Sequence, residues 1–358
     1  MRRAAIDSSA TPCSNARSWS ASNVISRRRP CHSGPGRSSK CCDEGDGGLM
    51  NLKVFTGNSN RPLAQGICEV LGIEPGATEF VQFSNENIKV KIEENVRGCD
   101  VFYIQTSCPP VNDHLMELLI ALDALKYASA GRITAVLPYY PYGLADSKDE
   151  PRISVAGRLM ADLVTEAGAD RILTMTLHSP QIMGFCRIPA DQLSGVPTIC
   201  DHFAAQLDLS NAVAAAPDIS HAKVTEVYAK RLGLPLVVID NRESSEGEMG
   251  VHGVIGEVEG KDAIIFDDEI ITGARALTGT DALLKNGARS VHMGCVHGTL
   301  ADDARQSIAS SPMASLAVTN TVPQPPDAKK VTVCSVAEHF AHAIQAIHQE
   351  TSISTLFT

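Results

Sequence analysis

Short segments that are apolar throughout alternate along this chain with amphipathic helical stretches, and that alternation constrains the fold more than any other feature. Val101 to Gln105 reads as a strand, and Met116, Leu119, Ile120, Leu122 and Leu125 recur at helical spacing up to Ala128. Ile133 to Leu137 reads as a second strand, stopped by Pro138. A strand that is apolar on both faces belongs in a parallel sheet covered by helices on each side. The rhythm returns after Pro197, with helical spacing from Asp201 to Gln206 and from Ala222 to Leu232, and strand-like runs at Ala212 to Ala216 and Leu236 to Ile239. It recurs through Ile264 to Phe266, a helix from Ala276 to Lys285 stopped by Gly287, and Val291 to Cys295. The pattern predicts an α/β protein with two mostly parallel sheets flanked by helices. A first domain is expected over 50–193 and a second over 194–335, with a C-terminal helical segment over 336–358.

Residues 1–49 have a different composition. Residues 1–48 hold eight basic against four acidic side chains, a net +4, which leaves −14 on the rest of a chain whose net charge is −10. Ser, Arg, Pro and Gly dominate this stretch, and three readings stay open: a transit peptide, a disordered extension, or translation ahead of a start at Met50. The first places the protein in an organelle; otherwise the cytoplasm is expected. So acidic a body does not seek nucleic acid through bulk charge, although a local basic pocket for phosphate is still allowed. No apolar stretch approaches membrane-spanning length, so no membrane association is expected. Cys68, Cys99, Cys108, Cys186, Cys200, Cys295 and Cys334 are scattered, mostly among apolar neighbours, and read as buried thiols rather than a disulfide framework.

The run Ala263 to Gly273 reads as a buried strand ending in paired carboxylates, Asp267 and Asp268, and opening through Thr272-Gly273 into a helix. Ligand sites in α/β folds lie at such strand ends. Acids there hold sugar hydroxyls or a metal; solvating a loop and capping the helix is the equally open alternative. Taken alone, His178 reads as a hydrogen-bonded structural histidine and Asp218 as a turn residue after Pro217.

Four segments stand in the order of a known family: Thr106 to Leu119 (TSCPPVNDHLMELL), Ser129 to Tyr140 (SAGRITAVLPYY), Leu177 to Ile182 (LHSPQI) and Asp267 to Ile270 (DDEI). Through them the chain, from Asn51 to Phe357, resembles the ribose-phosphate pyrophosphokinases, also called phosphoribosyl pyrophosphate synthetases. The resemblance implies two phosphoribosyltransferase-like domains, with the helix of 336–358 packing back on the first. It also implies transfer of the β,γ-diphosphoryl group of ATP to the C1 hydroxyl of ribose 5-phosphate with Mg2+, giving 5-phosphoribosyl 1-diphosphate and AMP for nucleotide biosynthesis. His178 and Asp218 then become metal ligands, while Asp267 and Asp268 take the ribose hydroxyls. Thr272, Gly273 and the following backbone N–H groups cradle the 5-phosphate beside Arg275, and Phe83, Asn85 and Asn87 hold adenine. A dimer-based homo-oligomer, up to a hexamer, is implied as well.

The chain departs from the family pattern at particular positions. Ile271 and Ala274 stand where the family has Asp and Gly, and Leu144 and Ala145 where it has Arg and Gln. Ile219 to Lys223 replaces a more glycine-rich diphosphate loop. In the mobile loop after Asp240, Asn241 and Glu243 replace the catalytic cations, leaving Arg242 as the candidate catalytic cation. These losses argue for impaired turnover and define an alternative: a catalytically silent paralogue that joins an active synthetase in a hetero-oligomer and regulates it. The length and the Pro109 to Asp113 segment disfavour an ordinary phosphoribosyltransferase.

Overall fold

The computed structural model describes residues 50–243 and 249–353. Its first part runs β1 (Leu52–Thr56), α1 (Arg61–Leu71), β2 (Thr78–Gln82), β3 (Ile88–Ile92), β4 (Asp100–Ile104), α2 (Val111–Tyr127), β5 (Arg132–Leu137), α3 (Ala156–Ala167), β6 (Arg171–Met175) and β7 (Ala190–Leu193). The second part runs α4 (Val196–Gln206), β8 (Ala212–Ala216), α5 (Ala222–Leu232), β9 (Leu236–Glu243), β10 (Met249–Ile255), β11 (Asp262–Ile270), α6 (Ala274–Lys285), β12 (Ser290–Gly298), α7 (Asp302–Ser310), β13 (Ser315–Thr319), β14 (Val331–Cys334) and α8 (Ala337–His348).

Two sheets result, as the alternating pattern predicts. The first is five-stranded and wholly parallel, in the order β1-β4-β5-β6-β7. The second is seven-stranded, in the order β10-β9-β8-β11-β12-β13-β14, and only β10 runs antiparallel. All nine residues of β11 are buried, because helices cover both faces of a parallel sheet. Phe203 and Phe266 meet edge to face and Tyr228 stacks on Phe266 on one side of that sheet, each such side chain contributing about 1.5–3 kcal/mol through burial. On the first sheet, α8 lays Phe340, Ile344 and Ile347 into the same apolar cluster as Leu63 and Ile67 of α1.

Several element boundaries differ from the sequence reading. Helix α2 begins at Val111 rather than Met116, because its first turn is polar and carries no apolar period. Helix α4 begins at Val196, five residues before the Asp201 start read from spacing, since Pro197 sits in a first turn where its missing N–H costs nothing. The segment read as a mobile loop after Asp240 continues β9 to Glu243 and pairs antiparallel with β10. Strand β11 does not stop at Phe266: Asp267 and Glu269 stay in register with Cys295 and His297 of β12.

That last difference positions the site. Strand β8 pairs with β11 only as far as Ala215 opposite Ile265, and β8 ends at Ala216. The chain leaves β8 toward β9 on one side and returns to β11 on the other, so the strand order reverses between β8 and β11. A crevice opens at such a reversal, and here the overhanging acids of β11 border it.

Candidate active site

Three segments converge at that crevice. Beyond β8, Pro217 and Asp218 turn the chain into α5, and Asp218 Oδ1 accepts hydrogen bonds from Ser220 Oγ at 2.5 Å and His221 N at 3.0 Å. The same oxygen lies 2.8 Å from His221 Nδ1, which locks the imidazole. On β11, Asp267, Asp268 and Glu269 are all buried, and Asp268 N donates to Asp267 Oδ1 at 3.0 Å. From the end of the first sheet comes His178, whose Nδ1 is 2.6 Å from Asp268 Oδ2.

A cation and the start of α6 complete the arrangement. Arg275 places Nη1 3.5 Å from Asp218 Oδ2 and Nη2 3.4 Å from Asp267 Oδ2. Gly273 takes the left-handed conformation at φ 73° ahead of α6, and Ala274 is the first helical residue. The position that demands glycine is therefore Gly273, and the Cβ of Ala274 meets no backbone restriction. Gly273 has no side chain with which to cap α6, and Thr272 Oγ1 accepts from Ala274 N at 3.4 Å, so the remaining first-turn N–H groups and the helix dipole favour an anion there. A cavity of about 250 Å³ is lined by His178, Asp267, Glu269, Ile271, Thr272 and Arg275, with Leu144 at its side. A cavity of about 500 Å³ against Arg61, Thr78 and Phe80 shares no residue with it; the buried titratable groups converge at the smaller one.

The electrostatics follow from burial and pairing. Burial, then the neighbouring Asp268, pushes Asp267 up to about 8, with Arg275 opposing. For Asp268 desolvation is the largest single influence and raises it, but the hydrogen bonds with His178 and Asp267 and the His178 charge together outweigh it and hold the carboxyl below the usual range. The same bond raises His178 against its own desolvation. Asp218, despite burial, is held down to about 2 by Ser220 and His221. Burial lifts Glu269, partly opposed by the Tyr139 hydroxyl, which donates to it.

The structure thus brings together His178, Asp218, Asp267, Asp268, Thr272, Gly273 and Arg275. It does not bring Phe83, Asn85 and Asn87 there: they form the exposed turn of the β2–β3 hairpin, where Phe83 N donates to Asn87 O at 2.9 Å and Asn87 N to Asn85 Oδ1 at 3.3 Å. Arg242 stands on β9, and its side chain lies outside the described residues. His221, Tyr139 and Glu269 are site residues that spacing alone did not single out; the Asp218-x-x-His221 interval across a helix start was the available signal for His221.

Comparison with known proteins bears on this geometry. Residues 52–168 match the N-terminal domain of ribose phosphate pyrophosphokinase, and residues 248–358 match the phosphoribosyl synthetase-associated domain. The chain is 44% identical over 310 residues to a ribose-phosphate pyrophosphokinase of Clostridium acetobutylicum, covering 86% of this chain and 97% of the relative. It is 45% identical over 313 residues to the protein of the same name from Deinococcus radiodurans, covering 86% and 98%. The crystal structure of phosphoribosylpyrophosphate synthetase from Mycobacterium smegmatis overlays it with a TM-score of 0.79 at 37% identity, covering 84% of this chain and 99% of that one.

Proposed function

The chain belongs to the ribose-phosphate pyrophosphokinase family, and from that premise we propose how its residues carry the activity. It is a ribose-phosphate diphosphokinase, transferring diphosphate from ATP to ribose 5-phosphate with release of AMP in nucleotide biosynthesis. The observation that supports the residue assignment best is the meeting of His178, from the first sheet, with the Asp267–Asp268 lip of the second. Relatives of the same name along nearly their whole length favour turnover over the silent-regulator reading.

Asp267 and Asp268 receive the ribose hydroxyls, and the first-turn N–H groups of α6, with Thr272, Gly273 and Arg275, hold the 5-phosphate. Arg275 exchanges its carboxylate partners for phosphate, since both of its ion pairs are long and its side chain is half exposed. The Asp218 carboxylate, kept ionised by Ser220 and His221, fits Mg2+, which favours a few protein oxygens plus phosphate oxygens. His178 and Asp218 are the residues proposed to hold it. When bound, magnesium supplies charge neutralisation at the phosphate oxygens. The enclosed lip positions the C1 hydroxyl against the β-phosphorus and limits water, the two tasks a protein performs in phosphoryl transfer.

Arg242 is proposed to supply the remaining cation, since its sequence neighbours Asn241 and Glu243 carry no positive charge. Phe83, Asn85 and Asn87 hold adenine from a hairpin that does not line the cavity of its own chain, so an assembly of at least two copies is part of the proposal. Among the described residues no helix is long and apolar enough to cross a membrane. A cytoplasmic location is proposed, with an organellar one if residues 1–49 direct import. The boundary between the two domains is proposed at residues 193/194.

The direct test is AMP release from ATP by the full chain, required to depend on both ribose 5-phosphate and Mg2+. A folded protein that releases no AMP above the hydrolysis background sinks the assignment.

A further inference from the structure

We propose that His221 Nε2, Asp267 Oδ1 and Asp268 Oδ1 form a three-donor site that binds a transition-type divalent cation, such as Co2+ or Mn2+, before any nucleotide arrives. The three donor atoms lie within 4.8 Å of one another, with Nε2 3.6 Å from Asp267 Oδ1 and 3.9 Å from Asp268 Oδ1. Donors sharing an ion at about 2.0–2.2 Å stand roughly 3.0–3.4 Å apart in octahedral or tetrahedral geometry, so side-chain rotations that shorten the separations by at most roughly 2 Å close the set.

The other atoms of these groups are already held. His221 Nδ1 faces Asp218 Oδ1 at 2.8 Å, so with Nδ1–H donating to the carboxylate the Nε2 lone pair points at the acids. A metal-binding histidine ordinarily has its second nitrogen fixed by a carboxylate in this way. Asp268 Oδ2 is taken by His178 at 2.6 Å and Asp267 Oδ2 by Arg275 at 3.4 Å, while Asp267 Oδ1 accepts from Asp268 N at 3.0 Å and keeps a second lone pair, so both Oδ1 atoms still have a lone pair for an ion beside the imidazole. Asp267 is 2% and Asp268 7% exposed, so the lip is shielded from bulk water.

The imidazole decides the class of ion. Magnesium demands oxygen donors and gives up water reluctantly, whereas one nitrogen beside two carboxylates suits Mn2+, Co2+ and their neighbours, with affinity rising along the first row. Three protein donors leave open positions facing the cavity, where ribose hydroxyls are proposed to bind. The proposal goes beyond the synthetase reading, because the cation is held by the protein alone and not carried on nucleotide phosphates.

The test is titration of the full-length, metal-stripped protein with Co2+ alone, read by its visible d–d absorption. One saturating ion is expected, displaced by Mg2+ only in large excess. His221→Gln should weaken Co2+ binding by at least about tenfold, and Asp218→Asn, which frees the imidazole, by about 10–100-fold. Wild-type protein loaded with Co2+ should also show a hyperfine-shifted exchangeable imidazole proton in its 1H spectrum, a readout that holds even if the variants fold poorly. Absence of saturable binding, of that proton, or of any loss in folded His221→Gln overturns the site. Loss in His178→Gln with none in His221→Gln also overturns it. AMP release in Mg2+ is scored separately: Co2+ binding without turnover sinks the synthetase reading alone, and turnover without Co2+ binding sinks this one alone.

Discussion

His178 Nδ1 stands 2.6 Å from Asp268 Oδ2, so the carboxyl end of one sheet is hydrogen-bonded to the carboxyl end of the other. The pair is mutually stabilising: the bond raises the imidazole and depresses the carboxyl, which favours imidazolium against carboxylate. Asp268→Asn keeps the shape and removes the charge. The expected result is a loss of roughly 10²–10³-fold in kcat for AMP release, the scale found when one preorganised polar group is deleted from a reacting centre. Steady-state kinetics at saturating ATP check it, and a change confined to KM would show that the pair acts only in ground-state binding.

The second prediction concerns the missing cations. Asn241 and Glu243 flank Arg242 where the resemblance implies basic side chains, and a carboxylate at 243 repels triphosphate. The double variant Asn241→Lys, Glu243→Arg should therefore raise kcat by about 10²-fold or more, given what a single transition-state donor contributes. Unchanged kcat in the folded variant would mean that the chain has moved this function to other residues, Arg275 first among them.

Particular residues show what was legible in the sequence. Strand β8 and helix α5 fall at Ala212–Ala216 and Ala222–Leu232, the bounds read from the chain, because an unbroken small apolar run and a helix closed by left-handed Gly233 are local signals. Strand β11 outran its apolar residues, since its last turns of pairing are supplied by β12 and not by its own composition. The β2–β3 hairpin was not distinguished from loop: β2 is half buried without alternation, although Ile88-Lys89-Val90-Lys91-Ile92 of β3 carries the period-two signal of a half-buried strand. Asp267 and Asp268 were legible as a site through their place at a strand's end. For His221 the chain offered only the Asp218-x-x-His221 interval, which signals the contact with Asp218 and not the tertiary approach to β11.

Acid stability provides a third prediction. His297 is buried where β12 meets the first sheet, with Nδ1 2.9 Å from Thr321 Oγ1 and Nε2 2.9 Å from Thr176 O. Desolvation lowers its pKa below 6.5 in the folded protein, whereas the unfolded chain titrates near 6.5. A base with a depressed folded pKa leaves stability intact above the unfolded value and costs up to about 1.4 kcal/mol per pH unit as pH falls below it. His202, His292 and His339 are shifted the same way by burial. Asp267, raised to about 8, works with the opposite sign as pH drops from 8 toward the ordinary carboxylate range. The comparison that isolates His297 is urea unfolding of wild type and His297→Asn between pH 7.5 and 5. Wild type should lose more stability than the variant below about pH 6.5, and parallel curves would show that His297 is protonated in the folded state.

The last prediction rests on a buried acid beneath the C-terminal helix. Asp100 is fully buried and receives Arg132 in bidentate fashion, Nε at 2.8 Å and Nη2 at 2.6 Å, while His348 Nδ1 lies 2.9 Å from the same carboxylate. Arg132 Nη2 also donates to Ile347 O at 2.9 Å, so one guanidinium joins β4, β5 and the end of α8. Taking such charges out of water is costly, and the geometry repays that cost only while every partner is present. Asp100→Ala leaves the guanidinium half buried without its carboxylate and should destabilise by about 3–5 kcal/mol in urea unfolding. Asp100→Leu combined with Arg132→Met removes both charges and should cost much less, because apolar replacement of a whole buried pair is often close to neutral. A double variant as unstable as the single one would instead assign the stability to the Arg132–Ile347 and His348 bonds that hold α8 against the sheet.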